Sequence, residues 1–483
     1  MIAHPESLPY PSVQSYERSG NAEVHQLSIT NLIRETIRPY YLRLVYFPLQ
    51  PERRPRSFQD CWQHPAEPLE ESSDILAGLW QAEGCGVVFY PMNDWHGRTQ
   101  RSKQLARALA NLGHPIVYVN PHMGREFANL RLIDKRHRVT SVEHNVVELH
   151  IRLPREPVFH ERVLLPDEGR IVARAVREVL ATSGLKSVCQ IVSLPTWMDA
   201  ACHVRSEDGC PVIYDCHDHL PGLPKMAPQV ATAESDALRR ADCVLFTSDH
   251  LYKSHGTCNR SILLRNAASG PVSVQRPSRA GTVSKRPVAG YVGALSAWFD
   301  VESVQRAAEC NPEVDFVLAG EVECEEIGKL GLLPNVSLLG EVRYDDLDEL
   351  YARFDVGLIP FVLNDLTRAT NPIKFYEYCS FGMPIVSTRL PEMEAFADVV
   401  RFAAGPGDFA SQVRRSLVEP DGQGRKRRLE IAGRETWTAR AGALSAEFDA
   451  LHSADGRVRS KAIYSSMMDK ESRPRSSSKA AGR

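Results

Sequence analysis

The sequence predicts an α/β protein of the doubly wound, parallel-sheet kind. Short continuous apolar runs such as Ile116–Val119 and Val288–Val292 have the length and character of strands buried on both faces. Helical stretches separate them, and Thr99–Leu112 carries Leu105, Leu109 and Leu112 on one face. Glycines then punctuate the alternation at Gly113, Gly293, Gly320, Gly340 and Gly382.

Taken in order, residues 1–85 do not read as a regular domain. Pro48, Pro51, Pro55, Pro65 and Pro68 interrupt any long element, and a helix over about Ile29–Leu44 is broken at Pro39. An irregular extension is expected. Val87–Phe89, the Thr99–Leu112 helix and Ile116–Val119 then form a βαβ unit, which implies a parallel sheet. Further strands are expected at Val146–Ile151, Cys189–Ser193, Pro211–Asp215, Cys243–Thr247 and Ser261–Leu264, giving a first domain over 86–270. Residues 271–287, rich in Pro, Ser, Arg and Gly, read as a linker. The second domain, 288–435, should hold strands at Val288–Val292, Asp315–Leu318, Val336–Leu339, Val356–Pro360 and Ile385–Thr388. Helices are expected near Val301–Cys310, Tyr344–Arg353 and Pro372–Phe381. The basic run Arg425–Arg428 reads as a solvated helix face or turn. A last amphipathic helix, 436–452, follows with Trp437 as its apolar anchor. Residues 453–483 are expected to be a disordered tail, because eight basic and two acidic residues between Arg457 and Arg483 leave little to form a core.

Composition narrows the function. A formal net charge of −2 in 483 residues gives no global field toward nucleic acid, and no nucleic-acid partner is expected. No apolar run approaches the ~18 residues of a membrane span. Leu42–Leu49 is short and holds an arginine and a proline; it packs on its own domain or docks peripherally on a membrane. Eleven scattered cysteines behind a polar, proline-rich start suggest reduced thiols and a cytoplasmic setting, with the inner membrane face left open.

The segment Thr370–Thr388 says most about chemistry. Asn371 suits an N-cap and Pro372 a first helical position; Gly382 suits the left-handed stop, and Pro384 prevents continuation before the strand Ile385–Thr388. A helix start gathers unpaired N–H groups and partial positive charge, which favours an anion. Lys374 lies in the first turn and Glu377 three residues on, over the same face. One helix can thus offer a cation to a diphosphate and a carboxylate to sugar hydroxyls.

This pattern resembles the donor-site motif of GT-B glycosyltransferases, in particular the bacterial group 1 (GT4-like) families, which run roughly Asn/Ser-Pro-x-Lys-x-x-Glu-Tyr-x-x-x-Gly-x-Pro-Val-Val. The resemblance covers about residues 86–450 and is strongest over 288–404. It includes Asn335–Gly340 and Asp346–Pro360, which support fold rather than chemistry. It implies two Rossmann-like domains facing a cleft and a late helix that crosses back to brace the first domain. It implies a nucleotide-sugar donor, UDP- or GDP-linked, and a glycan or lipid-linked acceptor hydroxyl. Retention at the anomeric carbon and no essential metal or other cofactor are likewise implied. Glu377 would hold the donor ribose, Lys374 or the helix start would face the diphosphate, and Gly293, in Gly290–Asp300, would lie in the loop facing the phosphates together with Asn371.

On the first domain, Asn93–Arg101 is similar to the acceptor-side loop of the same families. It offers Asp94 and His96 as catalytic candidates and Arg98 and Arg101 as phosphate or acceptor contacts. His217 and Asp218, in Tyr214–His219 after a strand, are placed to orient or deprotonate a hydroxyl, although capping roles serve equally well. A zinc reading of Cys210, Cys216, His217 and His219 fails on irregular spacing. Two departures stand out. Where many relatives place an Arg-x-x-x-x-Lys-Gly pattern, this chain has Ala294, Ser296, Ala297 and Phe299, so countercharge falls to Lys374 and the helix start, with Arg98 or Arg368 as further candidates. Where Glu-x7-Glu relatives have their first glutamate, it has Ala369. The alternatives are a non-catalytic GT-B partner protein that binds nucleotide-sugar or glycan, and a GT-B UDP-sugar epimerase.

Overall fold

The computed structural model describes residues 84–120, 137–155, 160–255, 260–271, 286–418 and 422–453. All of them belong to one compact unit, Arg53–Arg483. Residues 1–83 of the expected extension, 272–285 of the expected linker and 454–483 of the expected tail lie outside the described residues.

The first sheet holds β1 (Gly86–Tyr90), β2 (Ile116–Val119), β3 (His137–Glu143), β4 (Val146–Ile151), β5 (Val188–Val192), β6 (Val212–Cys216), β7 (Cys243–Phe246) and β8 (Arg260–Leu263). Their order is β3-β4-β2-β1-β5-β6-β7-β8, parallel throughout except that β3 pairs antiparallel with β4. The second sheet holds β9 (Val288–Val292), β10 (Asp315–Ala319), β11 (Val336–Gly340), β12 (Val356–Ile359), β13 (Ile385–Thr388) and β14 (Val400–Ala403). It runs β11-β10-β9-β12-β13-β14, with every pair parallel. Strand order reverses between β1 and β5 in one sheet and between β9 and β12 in the other, and ligands of open α/β sheets gather at such switch points.

Alternation along β1 shows why the first sheet is covered on both sides. Val88 and Tyr90 join the cluster under the helices Pro166–Ser183, Met198–Asp208 and Pro228–Arg240. Val87 and Phe89 point the other way, toward Leu105 and Leu109 of the Arg101–Asn111 helix. That second face is completed by the final helix, Trp437–His452, through Trp437, Ala441, Leu444 and Phe448. The last helix therefore follows the second domain in sequence but packs in the core of the first.

Several expectations need correction. β3 and β14 were not anticipated: β3 is an edge strand of mixed polarity (HRVTSVE), and β14 is short and half-buried. The expected Tyr344–Arg353 helix divides into a 3-10 turn, Tyr344–Asp346, and a helix, Leu347–Ala352. Asn371 is not an N-cap. The helix starts at Ile373 with Pro372 in the cap position and no capping side chain. The Asn371 side-chain oxygen is taken by the first domain, accepting the Asn266 N–H at 2.9 Å, and the Asn371 carbonyl accepts from Asn266 Nδ2 at 2.7 Å. Within the basic run, Arg428 turns inward rather than to solvent, against the carbonyls of Val399 and Gly382.

Candidate active site

A cavity of about 580 Å³ opens where the carboxyl ends of the two sheets meet. Its walls come from the segments after β1 (Arg98, Arg101), β6 (His217, Asp218), β9 (Gly293) and β11 (Glu341), and from the start of the Ile373–Ser380 helix. Asn371, Lys374 and Glu377 all lie on this wall. The exposed Arg368 does not.

Backbone geometry brings Lys374 close to the loop after β9. Gly293 has φ +144, and a Cβ there would lie 2.2 Å from Lys374 Cε and 2.4 Å from Nζ. Only a residue without a side chain lets the lysine pass. The ammonium stands 5.6 Å from the centre of the Tyr291 ring and makes no hydrogen bond among the described residues. Burial pushes its pKa down. A cation held without a hydrogen-bond partner beside open backbone is suited to an incoming anion. Glu377 is held by Tyr351, whose O–H donates to Oε2 at 2.7 Å, leaving Oε1 without a protein donor among the described residues.

Replacing Gly293 by alanine should therefore displace the lysine as well as strain the backbone, which costs on the order of 1–3 kcal/mol. We expect a roughly tenfold or greater loss of nucleotide affinity together with a lowered melting temperature. Unchanged affinity would mean that Lys374 does not work from this position.

Arg98 spans the cleft. Its Nε donates to Glu341 at 2.8 Å and an NH2 group reaches Glu321 at 2.9 Å, both in the second domain. Arg101 points inward instead. It is buried, pairs with Asp215 at 2.9 Å and donates to Asn266 at 3.1 Å, so it braces the Asn266–Asn371 contact between the domains. His217 lies 3.8 Å from Asp218, and its other ring nitrogen is 2.9 Å from the Asp215 carbonyl. Burial raises the Asp218 pKa, which makes this carboxyl a better proton acceptor than an exposed one.

Asp94 and His96 sit behind the wall and do not line the cavity. Asp94 accepts the His96 N–H at 2.7 Å and the Asn120 amide at 2.8 Å. His96 Nε2 lies 3.0 Å from Glu148, which is fully buried and also faces His150 at 3.2 Å. Burial and the Glu148 charge push Asp94 up to about 7. Burial works against the Glu148 carboxylate too, but His150 and His96 outweigh it and hold it at about 2. For Asp94 the folded value lies above the ordinary 3.8, so its contribution to stability is full below that value and is lost as pH rises through about 7. The stability of the wild type relative to Asp94→Asn should accordingly fall between pH 4 and 8 in denaturant titrations. A difference independent of pH would contradict the burial argument.

Glu148, Asp215, Asn266, Glu321, Glu341 and Tyr351 were not picked out from the sequence. Most of their partners lie far away in the chain, and although Asp215 and Tyr351 fall within the stretches Tyr214–His219 and Asp346–Pro360, nothing local sets them apart from their neighbours. Ala369 is fully buried among first-domain core residues, and a Cβ on Gly222 of the first domain would come 2.9 Å from Leu366. A carboxylate at position 369 would have to enter this core. The cysteines of the rejected zinc reading point apart: Cys216 Sγ faces Glu234 and Cys210 Sγ faces the Asp208 carbonyl.

Comparison with known proteins agrees with this geometry. The family described as "Glycosyl transferases group 1" matches residues 286–418, and the one described as "Glycosyl transferase 4-like domain" matches residues 97–254. TuaH of Bacillus subtilis strain 168, whose name assigns it to teichuronic acid biosynthesis as a glycosyltransferase, is 24% identical over 255 residues. That match spans 47% of this chain and 64% of the relative. Among solved structures, sucrose-phosphate synthase from Thermosynechococcus elongatus is 15% identical with a TM-score of 0.59, over 76% of this chain and all (100%) of that one. An α,α-trehalose-phosphate synthase (UDP-forming) from Burkholderia vietnamiensis is 13% identical with a TM-score of 0.55, over 76% of this chain and 98% of that one. At these identities the two structures speak for the fold alone. One family match thus falls on each sheet domain, group 1 glycosyltransferases on the second and the glycosyltransferase 4-like domain on the first, and both sheets deliver their carboxyl ends to one cavity, as in the GT-B fold.

Proposed function

We propose that this protein transfers a sugar from a UDP- or GDP-linked donor to a hydroxyl of a glycan or lipid-linked glycan, in the synthesis of a surface polysaccharide. The observation that carries the reading is the Ile373–Ser380 helix, whose amino end opens on the interdomain cavity with Lys374 and Glu377 on its wall. In the reaction the bond between the sugar's anomeric carbon and the diphosphate oxygen breaks, and a bond from that carbon to the acceptor oxygen forms. The acceptor hydroxyl gives up its proton, and negative charge collects on the leaving nucleoside diphosphate. Lys374 and the first free helix N–H groups meet that charge where it develops, which stabilises the transition state more than the ground state. Glu377 accepts from the donor ribose, and His217 with Asp218, on the first-domain wall of the same cavity, takes the acceptor proton. The family resemblance supports retention at the anomeric carbon. The relation to TuaH supports the polysaccharide setting.

No bound metal is assigned a step, because Lys374 and the helix start supply the countercharge. Turnover is expected to be the same with and without added magnesium or manganese. A strict requirement for either ion, measured as nucleotide release, would remove the role given to Lys374. Among the described residues no helix is long and apolar enough to cross a membrane.

The burial of Ala369 where Glu-x7-Glu relatives carry a carboxylate favours one second reading, a partner protein that binds nucleotide-sugar without transfer. Incubating the purified chain with UDP-, GDP- and ADP-sugars and following nucleotide release separates the two. Release that depends on a glycan acceptor supports transfer, whereas saturable binding with no release supports the partner role. A rearranged sugar nucleotide would indicate an epimerase.

A further inference from the structure

At the end of the first sheet opposite the cleft, three side chains from distant parts of the chain converge. Cys85 immediately precedes β1, Cys189 is the second residue of β5, and His452 ends the final helix. Their donor atoms all lie within 4.8 Å of one another, the one such group of three or more Cys, His, Asp or Glu side chains among the described residues. The register explains the meeting. Val87 stands opposite Cys189 in the parallel β1–β5 pair, so both side chains leave the same face of the sheet. Cys85, two residues before Val87, points the same way. This is the face on which the final helix packs through Leu444 and Phe448, and its last turn carries the imidazole over the two sulfurs.

The spacing suits a bridging ion better than a disulfide. Neighbouring strands lie ~4.8 Å apart and rise ~3.3 Å per residue, so an offset of two residues puts the Cα atoms roughly 8 Å apart. A disulfide closes only below ~7 Å. Around a tetrahedral zinc, sulfur at ~2.3 Å and nitrogen at ~2.0 Å stand roughly 3.5–3.8 Å from one another. Cys189 Sγ and His452 Nδ1 are 3.8 Å apart here. Two thiolates and an imidazole select zinc over magnesium or calcium. Cys189 is buried and Cys85 half-buried, while His452 is exposed, which gives an ion a way in and leaves a fourth position for water. His452 Nδ1 also lies 2.9 Å from the Phe448 carbonyl. Coordination through Nε2 keeps that hydrogen bond as an outer anchor, and coordination through Nδ1 exchanges it for the ion.

We propose that Cys85, Cys189 and His452 form a zinc site that staples the end of the final helix to the foot of the first sheet. The site is independent of the transfer reaction, because it lies at the amino ends of β1 and β5.

The test uses the 483-residue chain, reduced and stripped of metal. Zinc affinity is measured against a chromophoric chelator, and cadmium binding is followed by its thiolate charge-transfer absorption. The expected result is one tight ion per chain, with thiolate absorption and a higher melting temperature on adding zinc. Cys85→Ser and His452→Gln should each weaken zinc by at least the ~10–100-fold seen when only an outer-sphere partner is lost. His452 is exposed, so its variant should fold even if Cys85→Ser does not. Equal affinity in wild type and His452→Gln, no tight binding, or air oxidation to a Cys85–Cys189 disulfide would each overturn the proposal.

Discussion

Lys374→Met is expected to lower turnover by roughly 10²–10³-fold, the effect of removing one well-placed donor to a developing oxyanion. The same substitution should leave the protein as stable as before or slightly more so. The ammonium is half-buried, its pKa is depressed by that burial, and it makes no hydrogen bond among the described residues. Folding therefore works against this charge, and a methionine of similar length fills the space beside Gly293 without that cost. Loss of activity with retained or increased melting temperature is the signature of a residue kept for function rather than for structure. The lowered pKa adds a pH dependence. A bound diphosphate favours the protonated lysine, so nucleotide affinity should weaken as pH rises through the depressed value. In Lys374→Met that part of the pH dependence should vanish. A variant that unfolds, or one that turns over at the wild-type rate, would show that the lysine is a packing residue.

Glu377→Gln should act mainly on binding. A hydrogen bond to a charged acceptor contributes about 1.5–3 kcal/mol. Ribose hydroxyls donating to the carboxylate would then give a 10–100-fold loss of UDP or GDP affinity by calorimetry, with KM for the donor rising accordingly. The fold should survive, because the Tyr351 O–H that now donates to Glu377 can donate equally to the glutamine carbonyl. Glu377→Ala should weaken binding further and leaves the Tyr351 hydroxyl without its acceptor. Unchanged nucleotide affinity in a folded variant would remove Glu377 from the donor site.

Most of the fold was legible because buried parallel strands are written as continuous apolar runs with glycines at their ends. β2, β4, β9 and β13 have the expected limits. The strands that escaped notice, β3 and β14, are edge strands that need to be apolar on only part of their surface, so neither forms such a run. At the site, Lys374 and Glu377 could be singled out because their spacing, the glycine stop and the following strand all lie within one short segment. The groups that hold them could not. Tyr351 and Gly293 reach that helix from other elements, and the Arg98 bridge joins residues 223 and 243 positions apart. Asn371 shows the limit of local reasoning most clearly. Its type and place suit an N-cap, yet the Asn266 N–H across the domain boundary takes the side-chain oxygen first. Asp94 and His96 lie on the anticipated loop, but their partners Asn120 and Glu148 draw both behind the cavity wall.

Lys374 and Glu377 have the roles proposed above only if the amino end of the Ile373–Ser380 helix receives the diphosphate of a nucleotide-sugar. A crystal structure of the protein with UDP or GDP tests it most directly. A β-phosphate oxygen is expected within hydrogen-bond distance of Lys374 Nζ and of the Ile373 or Lys374 N–H, with the ribose hydroxyls on Glu377. A nucleotide bound elsewhere, or one in this cavity with its phosphates turned away from Lys374, would contradict it.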